Sequence, residues 1–215
     1  MWGGEFLHVT EAGWRRVARL RSFRLPGGEA AVREPRRAAL GLLHEVRGEA
    51  CFERRDLAPV GSFRVDELRV LATMLARGVN APVTSSAGRL FDGVAALCGL
   101  WQVGSYEGQA AAGLEAVATA RPDGEAYPFP LRAGEDGATC LEVDWRPAIV
   151  ALIGDIEAGA AAGVISARFH AGLVRAIVEV ARHAAQPVVA LTGGCFQNVR
   201  LSEAASHALE RAGFR

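Results

Sequence analysis

Ile165, Phe169, Leu173, Ile177 and Val180 recur at spacings of four or three, the stripe of one long helix that turns an apolar face inward. Leu40, Leu43 and Val46 make a shorter stripe in a helix opened by Glu34-Pro35 and running to about Val46, because proline suits a first helical turn. Val65 to Arg77 repeats the amphipathic pattern, and another helix is predicted from about Gln197 to Ala212. Alternation takes over from Arg16 to Leu25, which predicts a strand stopped by Pro26-Gly27-Gly28. The run Val188 to Leu191 is apolar on every position and predicts a strand covered on both faces, of the parallel kind. Helix, strand, glycine turn and helix make an α/β unit. Three of the nine prolines fall between residues 121 and 136, so a loop or short hairpin is expected around "AYPFPLRAG".

Half of the 215 residues are hydrophobic, enough for a sizeable core in one domain or a compact pair of lobes. The 24 basic and 24 acidic residues cancel, which leaves no surplus charge to hold a polyanion and argues against nucleic acid as a partner. Every basic residue is arginine. A lysine-dependent phosphate loop or Schiff base is therefore excluded, and any side-chain cation that meets a phosphate is arginine. Cys51, Cys98, Cys140 and Cys195 are widely spaced and read as reduced, packed thiols. With no signal-peptide pattern and no apolar run of membrane length, a cytoplasmic protein without a membrane partner is expected. His8, His44, His170, His183 and His207 show no metal-ligand spacing, so no metal site is expected within these residues.

Two glycine-and-polar corners stand out. In "TSSAGRLFDGVAALCGL", residues 84–100, a small-polar turn feeds a helix that opens with Arg89 and Asp92. In "ALTGGCFQNVRL", residues 190–201, Gly193 and Gly194 let backbone approach a ligand, and the helix start beyond them offers free N–H groups to an anion. Two such corners suggest a cleft for a phosphorylated nucleotide. Each residue also has a plainer reading. Ser86 is placed to cap the helix at Ala87. Arg89 can fork onto a phosphate or pair with a carboxylate. Asp92 can take two ribose hydroxyls or complement the helix dipole, and Asn198 can meet adenine or a carbamoyl group or cap its helix. Cys195 reads as packing, and His170 as a half-buried structural histidine on the shoulder of the long helix.

The wording "SSAGRLFD", "YEGQAA" and "GGCFQN", with "WGGEF" and "FRLPGGEAAVREPRRAAL" in the same order, resembles the carbamoyltransferase domain of the HypF family of nickel–iron hydrogenase maturation factors. That domain is related to the Kae1-type tRNA threonylcarbamoyl transferases. The resemblance implies an α/β fold of the ribonuclease-H-like, actin and hexokinase type (ASKHA), with two lobes around a nucleotide and both ends truncated. Residues 1–80 would be the remainder of the first lobe with connecting helices, and 81–215 a nucleotide-binding second lobe lacking its last segment. It further implies that Asp92, Tyr106, Glu107, Gly108, Gly193, Gly194 and Asn198 touch the nucleotide. Gly3, Gly4, Glu5, Ser86 and Arg89 would lie toward phosphate or carbamoyl, with Glu115 within reach of the same ligand. The implied chemistry is transfer of carbamoyl from carbamoyl-adenylate, made from ATP with AMP as leaving group, to the C-terminal cysteine of a HypE-type partner. The family's iron or zinc is expected only in a longer chain, since its ligands precede the "WGGE" segment or follow residue 215. A tRNA-directed transferase and a non-catalytic nucleotide-binding or interaction module are the competing readings.

Overall fold

The computed structural model describes residues 3–119, 125–134 and 140–215. Trp2 and both ends of the proline-rich 121–136 segment lie outside them. Strands β1 (Glu5–Thr10) and β2 (Gly13–Leu20) form an antiparallel hairpin in register from Glu5 opposite Arg19 to Thr10 opposite Gly13, with a bulge at Phe6/Leu7. The single strand expected from Arg16 to Leu25 is divided. It stops at Leu20, and β3 (Phe23–Arg24) pairs instead with β4 (Val83–Thr84) in a separate two-stranded sheet. Arg21 makes the break. Its N–H donates to Val143 O, its own carbonyl accepts the Trp145 indole N–H at 2.6 Å, and its guanidinium reaches Glu142 at 2.7 Å. With both backbone groups engaged elsewhere, it cannot continue a ladder toward β4. Strand β6 (Leu141–Val143) lies parallel to β2, and β5 (Leu131–Ala133) antiparallel to β6, giving the order β1-β2-β6-β5. Where a loop or short hairpin is expected, residues 125–130 carry no regular structure and lead into β5.

Helices surround these sheets: α1 (Ala30–Arg33), α2 (Pro35–Arg47), α3 (Ala58–Gly61), α4 (Val65–Arg77), α5 (Ala87–Leu97), α6 (Gln109–Val117), α7 (Arg146–Glu157), α8 (Ala162–Ala184) and α9 (Val199–Arg211). The expected helix bounds at 35 and at 65–77 are met because local chemistry sets them. Pro35 opens α2, Glu67 accepts the Arg64 N–H at 2.8 Å to begin α4, and Gly78 at φ +67° ends it. Helices α2 and α5 pack closely, with Gly93 of α5 set against Leu42 and the Ala38–Ala39 backbone of α2. One core contains residues from Val17 to Leu209, and β2 pairs with β6. Gly41 lets α2 approach β3, because a Cβ there would lie 2.2 Å from Arg24 O. Gly41→Ala is expected to cost about 1–3 kcal/mol through forced separation, a loss that urea unfolding would register.

The run Val188 to Leu191 corrects the sequence reading. It forms no strand, and Val188 is 58% exposed. A strand needs a ladder on at least one side. Here two bonds occur, from Val189 N–H to Arg215 O and from Arg215 N–H to Pro187 O.

Candidate functional site

The first corner begins where β4 hands over to α5. Thr84 Oγ1 accepts the Ser86 N–H at 3.1 Å, and Ser86 Oγ accepts the Arg89 N–H at 3.4 Å, so Ser86 is the N-cap of α5. Gly3 and Gly4 bring the start of β1 against this cap: the Ala87 N–H donates to Gly3 O, and a Cβ on Gly4 would meet Ser85 O at 2.4 Å. Their smallness serves contact between chain segments. Glu5, expected toward phosphate, turns inward instead. One carboxylate oxygen accepts from Ser85 Oγ at 2.6 Å, and Arg16 Nε sits 2.6 Å from the other. A carboxylate held this way ties β1 and β2 to α5 and would repel a phosphate.

Arg89 and Asp92 share one face of α5 at i,i+3, and both side chains are buried. Arg89 Nη1 lies 2.9 Å from Asp92 Oδ2, while Nη2 donates to Glu107 at 3.0 Å. Burial pushes the Asp92 carboxyl up to about 6, with Arg89 opposing and Glu107 assisting. Glu107 and Tyr106 are 73% and 63% exposed. Gly108, at φ +84° with open space where a Cβ would be, caps α6, and Ser105 N–H donates to Gln109 to close the turn.

The second corner is the 3-10 turn Gly194–Gln197, which packs against α5. Gly193 has φ +93°, a left-handed conformation that favours glycine, and nothing stands within 4 Å of a Cβ on Gly193 or Gly194. Asn198 is the cap of α9: its Oδ1 accepts the Leu201 N–H at 2.8 Å, and its Nδ2 lies 2.9 Å from His170 Nε2. The sequence offers no signal for that second contact, which spans 28 positions. His170 is only 2% exposed, deeper than its place on the shoulder of α8 suggested. Glu115 accepts the Arg200 N–H at 3.2 Å, so its carboxylate braces α9 against α6. Burial raises the Cys195 thiol above its ordinary range, which leaves it poorly suited to nucleophilic attack.

Among the described residues, no three or more His, Cys, Asp and Glu side chains gather as a metal-ligand set. The residues present therefore do not fit the iron or zinc that the resemblance implies for a longer chain, and no step is assigned to it. No helix among them is long and apolar enough to cross a membrane.

Residues 1–215 match the family described as carbamoyltransferase, Kae1-like domain, second subdomain, and the chain belongs to it. It is 38% identical over 226 residues to carbamoyltransferase HypF of Synechocystis sp., covering 100% of this chain and 29% of that one. It is also 38% identical over 221 residues to a carbamoyltransferase HypF homolog of Cupriavidus necator, covering 100% of this chain and 55% of the relative. The crystal structure of full-length HypF in the phosphate- and nucleotide-bound form superposes with a TM-score of 0.86 at 28% identity, over 100% of this chain and 27% of that one. The crystal structure of T. kodakarensis HypF gives 0.79 at 28% identity, over 98% and 28%. The chain thus spans from about a quarter to about half the length of these relatives.

Proposed function

We propose that this chain provides the adenylate-binding part of a HypF-type carbamoyltransferase, which passes carbamoyl from carbamoyl-adenylate to the C-terminal cysteine of a HypE-type protein in hydrogenase maturation. The observation that carries the reading is the packing of the Gly193–Asn198 turn against α5, the helix of Arg89 and Asp92, in a chain similar to a HypF crystallised with phosphate and nucleotide bound. The burial of Asp92 suits it to hold Arg89 in place, while the exposed Tyr106 and the outer face of Glu107, which also accepts from Arg89, would meet base and ribose. Gly108, Gly193 and Gly194 leave room for close passage of the nucleotide. In the transfer, the thiolate sulfur would bond to the carbamoyl carbon as the bond to the adenylate phosphate oxygen breaks, and AMP would leave.

Holding the nucleotide equally well before and during transfer gives little rate. The 215 residues are accordingly expected to bind AMP but to transfer carbamoyl slowly, whereas a full-length HypF relative under the same conditions transfers it readily. A single-turnover assay with carbamoyl-adenylate and a HypE-type acceptor tests this, and rapid transfer by the 215 residues would overturn it. A second reading is a nucleotide-binding or interaction module without catalysis. It is separated from the first if the same chain, added to the remaining part of a HypF relative, restores no transfer.

A further inference from the structure

We infer that His170 is a positioning residue for the proposed nucleotide site: its neutral imidazole, carrying the proton on Nδ1, holds the Asn198 amide and with it the Gly193–Asn198 turn. The inference deepens the function proposed above and rests on that reading for its effect on nucleotide affinity.

The hydrogen-bond directions fix each group in turn. Nδ1 of His170 lies 2.7 Å from Ser166 O. A carbonyl only accepts, so Nδ1 must carry the hydrogen. Nε2 is then a lone pair, and the Asn198 Nδ2 at 2.9 Å donates to it. The amide cannot be turned over, because Oδ1 is the group that accepts the Leu201 N–H. Ser166 extends the chain to the other corner, since its hydroxyl donates to Leu114 O on α6 at 2.6 Å, and α6 begins at the Gly108 cap. His170 thus joins the helix that starts after Glu107 to the turn that carries Gly193 and Gly194.

A second proton on the ring would set an N–H against the Asn198 NH2, two donors facing each other. The contact would be lost, and the start of α9 would lose its side-chain cap orientation. The surroundings oppose that proton. Phe91 of α5 stacks edge-on at 5.4 Å and Phe169 packs beside it. Arg200 of α9 disfavours a charged ring, and Glu115 of α6 favours one. Burial is the largest cause, and the imidazole is held below its ordinary value. Outside it, Arg200, Glu203 and His207 of α9 line a groove of about 260 Å³ against α8 that His170 also borders, so His207 is the other titratable ring to control for.

AMP titrations by calorimetry from about pH 7.5 to about pH 5 span the histidine range. The unaltered chain is expected to lose about ten-fold in affinity toward the acid end, as one charge-sensitive hydrogen bond is lost. In His170→Gln the side-chain oxygen can still accept from Asn198 but cannot titrate, so the loss should shrink to the part that Asp92, which titrates at about 6, contributes, while affinity at about pH 7.5 stays within a few-fold. His207→Gln should keep the loss, and His170→Ala should bind weakly throughout. The AMP phosphate titrates equally in every variant, so only the differences between variants are read. Long-range nitrogen NMR of the unaltered chain reads the ring directly: a neutral, Nδ1-protonated imidazole at neutral pH is expected. The inference is overturned by a neutral ring protonated on Nε2, or by an acid loss in His170→Gln as large as in the unaltered chain. If AMP does not bind at all, the proposed function fails, while the NMR still decides the His170–Asn198 contact.

Discussion

Trp145→Ala is expected to be among the most destabilising single changes in this chain, at about 3–5 kcal/mol. The indole is fully buried, meets Phe23 edge-on at 5.6 Å, and donates to Arg21 O at 2.6 Å. Alanine removes the ring and its contacts and also leaves the part-buried Arg21 carbonyl without that donor, so two costs add. Trp145→Phe restores most of the volume but not the N–H, and should recover more than half of the loss. Urea unfolding of the three proteins provides the measurement. Equal stability of the alanine variant and the unaltered chain would contradict the placement of Trp145 at the junction of the sheet and α7.

Asp92→Ala should weaken AMP by about ten-fold or more, because Arg89, which would lie toward the phosphate, loses the buried carboxylate that holds it. It also strips Arg89 of a buried partner and leaves it with Glu107 alone, so stability should fall by a few kcal/mol, about the range for breaking a buried ion pair. Asp92→Asn keeps a neutral partner and separates the two effects through pH. The folded carboxyl titrates at about 6, against 3.8 for the ordinary group. The native state therefore binds that proton more tightly than the unfolded chain does. The associated stability is present below about pH 4 and disappears as pH rises through about 6. Asp92→Asn should abolish this slope. His170 acts in the opposite sense: with its folded value below the ordinary 6.5, stability falls as pH drops beneath that value, and His170→Gln should remove the fall. Stability curves that are unchanged in both variants would contradict the burial of both groups. Unaltered AMP affinity in both Asp92 variants would remove Asp92 from the proposed site.

Helices were the legible part of this sequence, because their bounds are decided within a few residues. Pro35, Glu67 and Gly78 act on their own neighbours, and the stripe from Ile165 to Val180 is buried in α8 as its spacing requires. Strands were less legible because a ladder depends on residues far away. Arg16 to Leu25 has a continuous alternating pattern, yet Arg21 is drawn off by Val143, Glu142 and Trp145. Val188 to Leu191 has the composition of a covered strand without a ladder of strand length beside it. At the candidate site, the glycine corners and the cap at Ser86 could be read from local wording. The inward turn of Glu5 onto Ser85 and Arg16, the bracing of α9 by Glu115 and the bond from Asn198 to His170 could not, since each joins segments with no shared local pattern.

The β2–β6 seam has a consequence for how the chain folds. The β1–β2 hairpin closes over a two-residue turn and can form early, but Ala18 and Leu20 gain their parallel partners Leu141 and Val143 only after more than a hundred further residues have been added. Loop closure over that distance must precede the contacts that reward it, so this pairing is expected to limit the folding rate. Until it occurs, the open side of β2 is a strand edge able to pair with another chain. A nascent or partly unfolded chain is thus most prone to aggregate through Val17 to Leu20, and segments that supply β6 promptly should protect it.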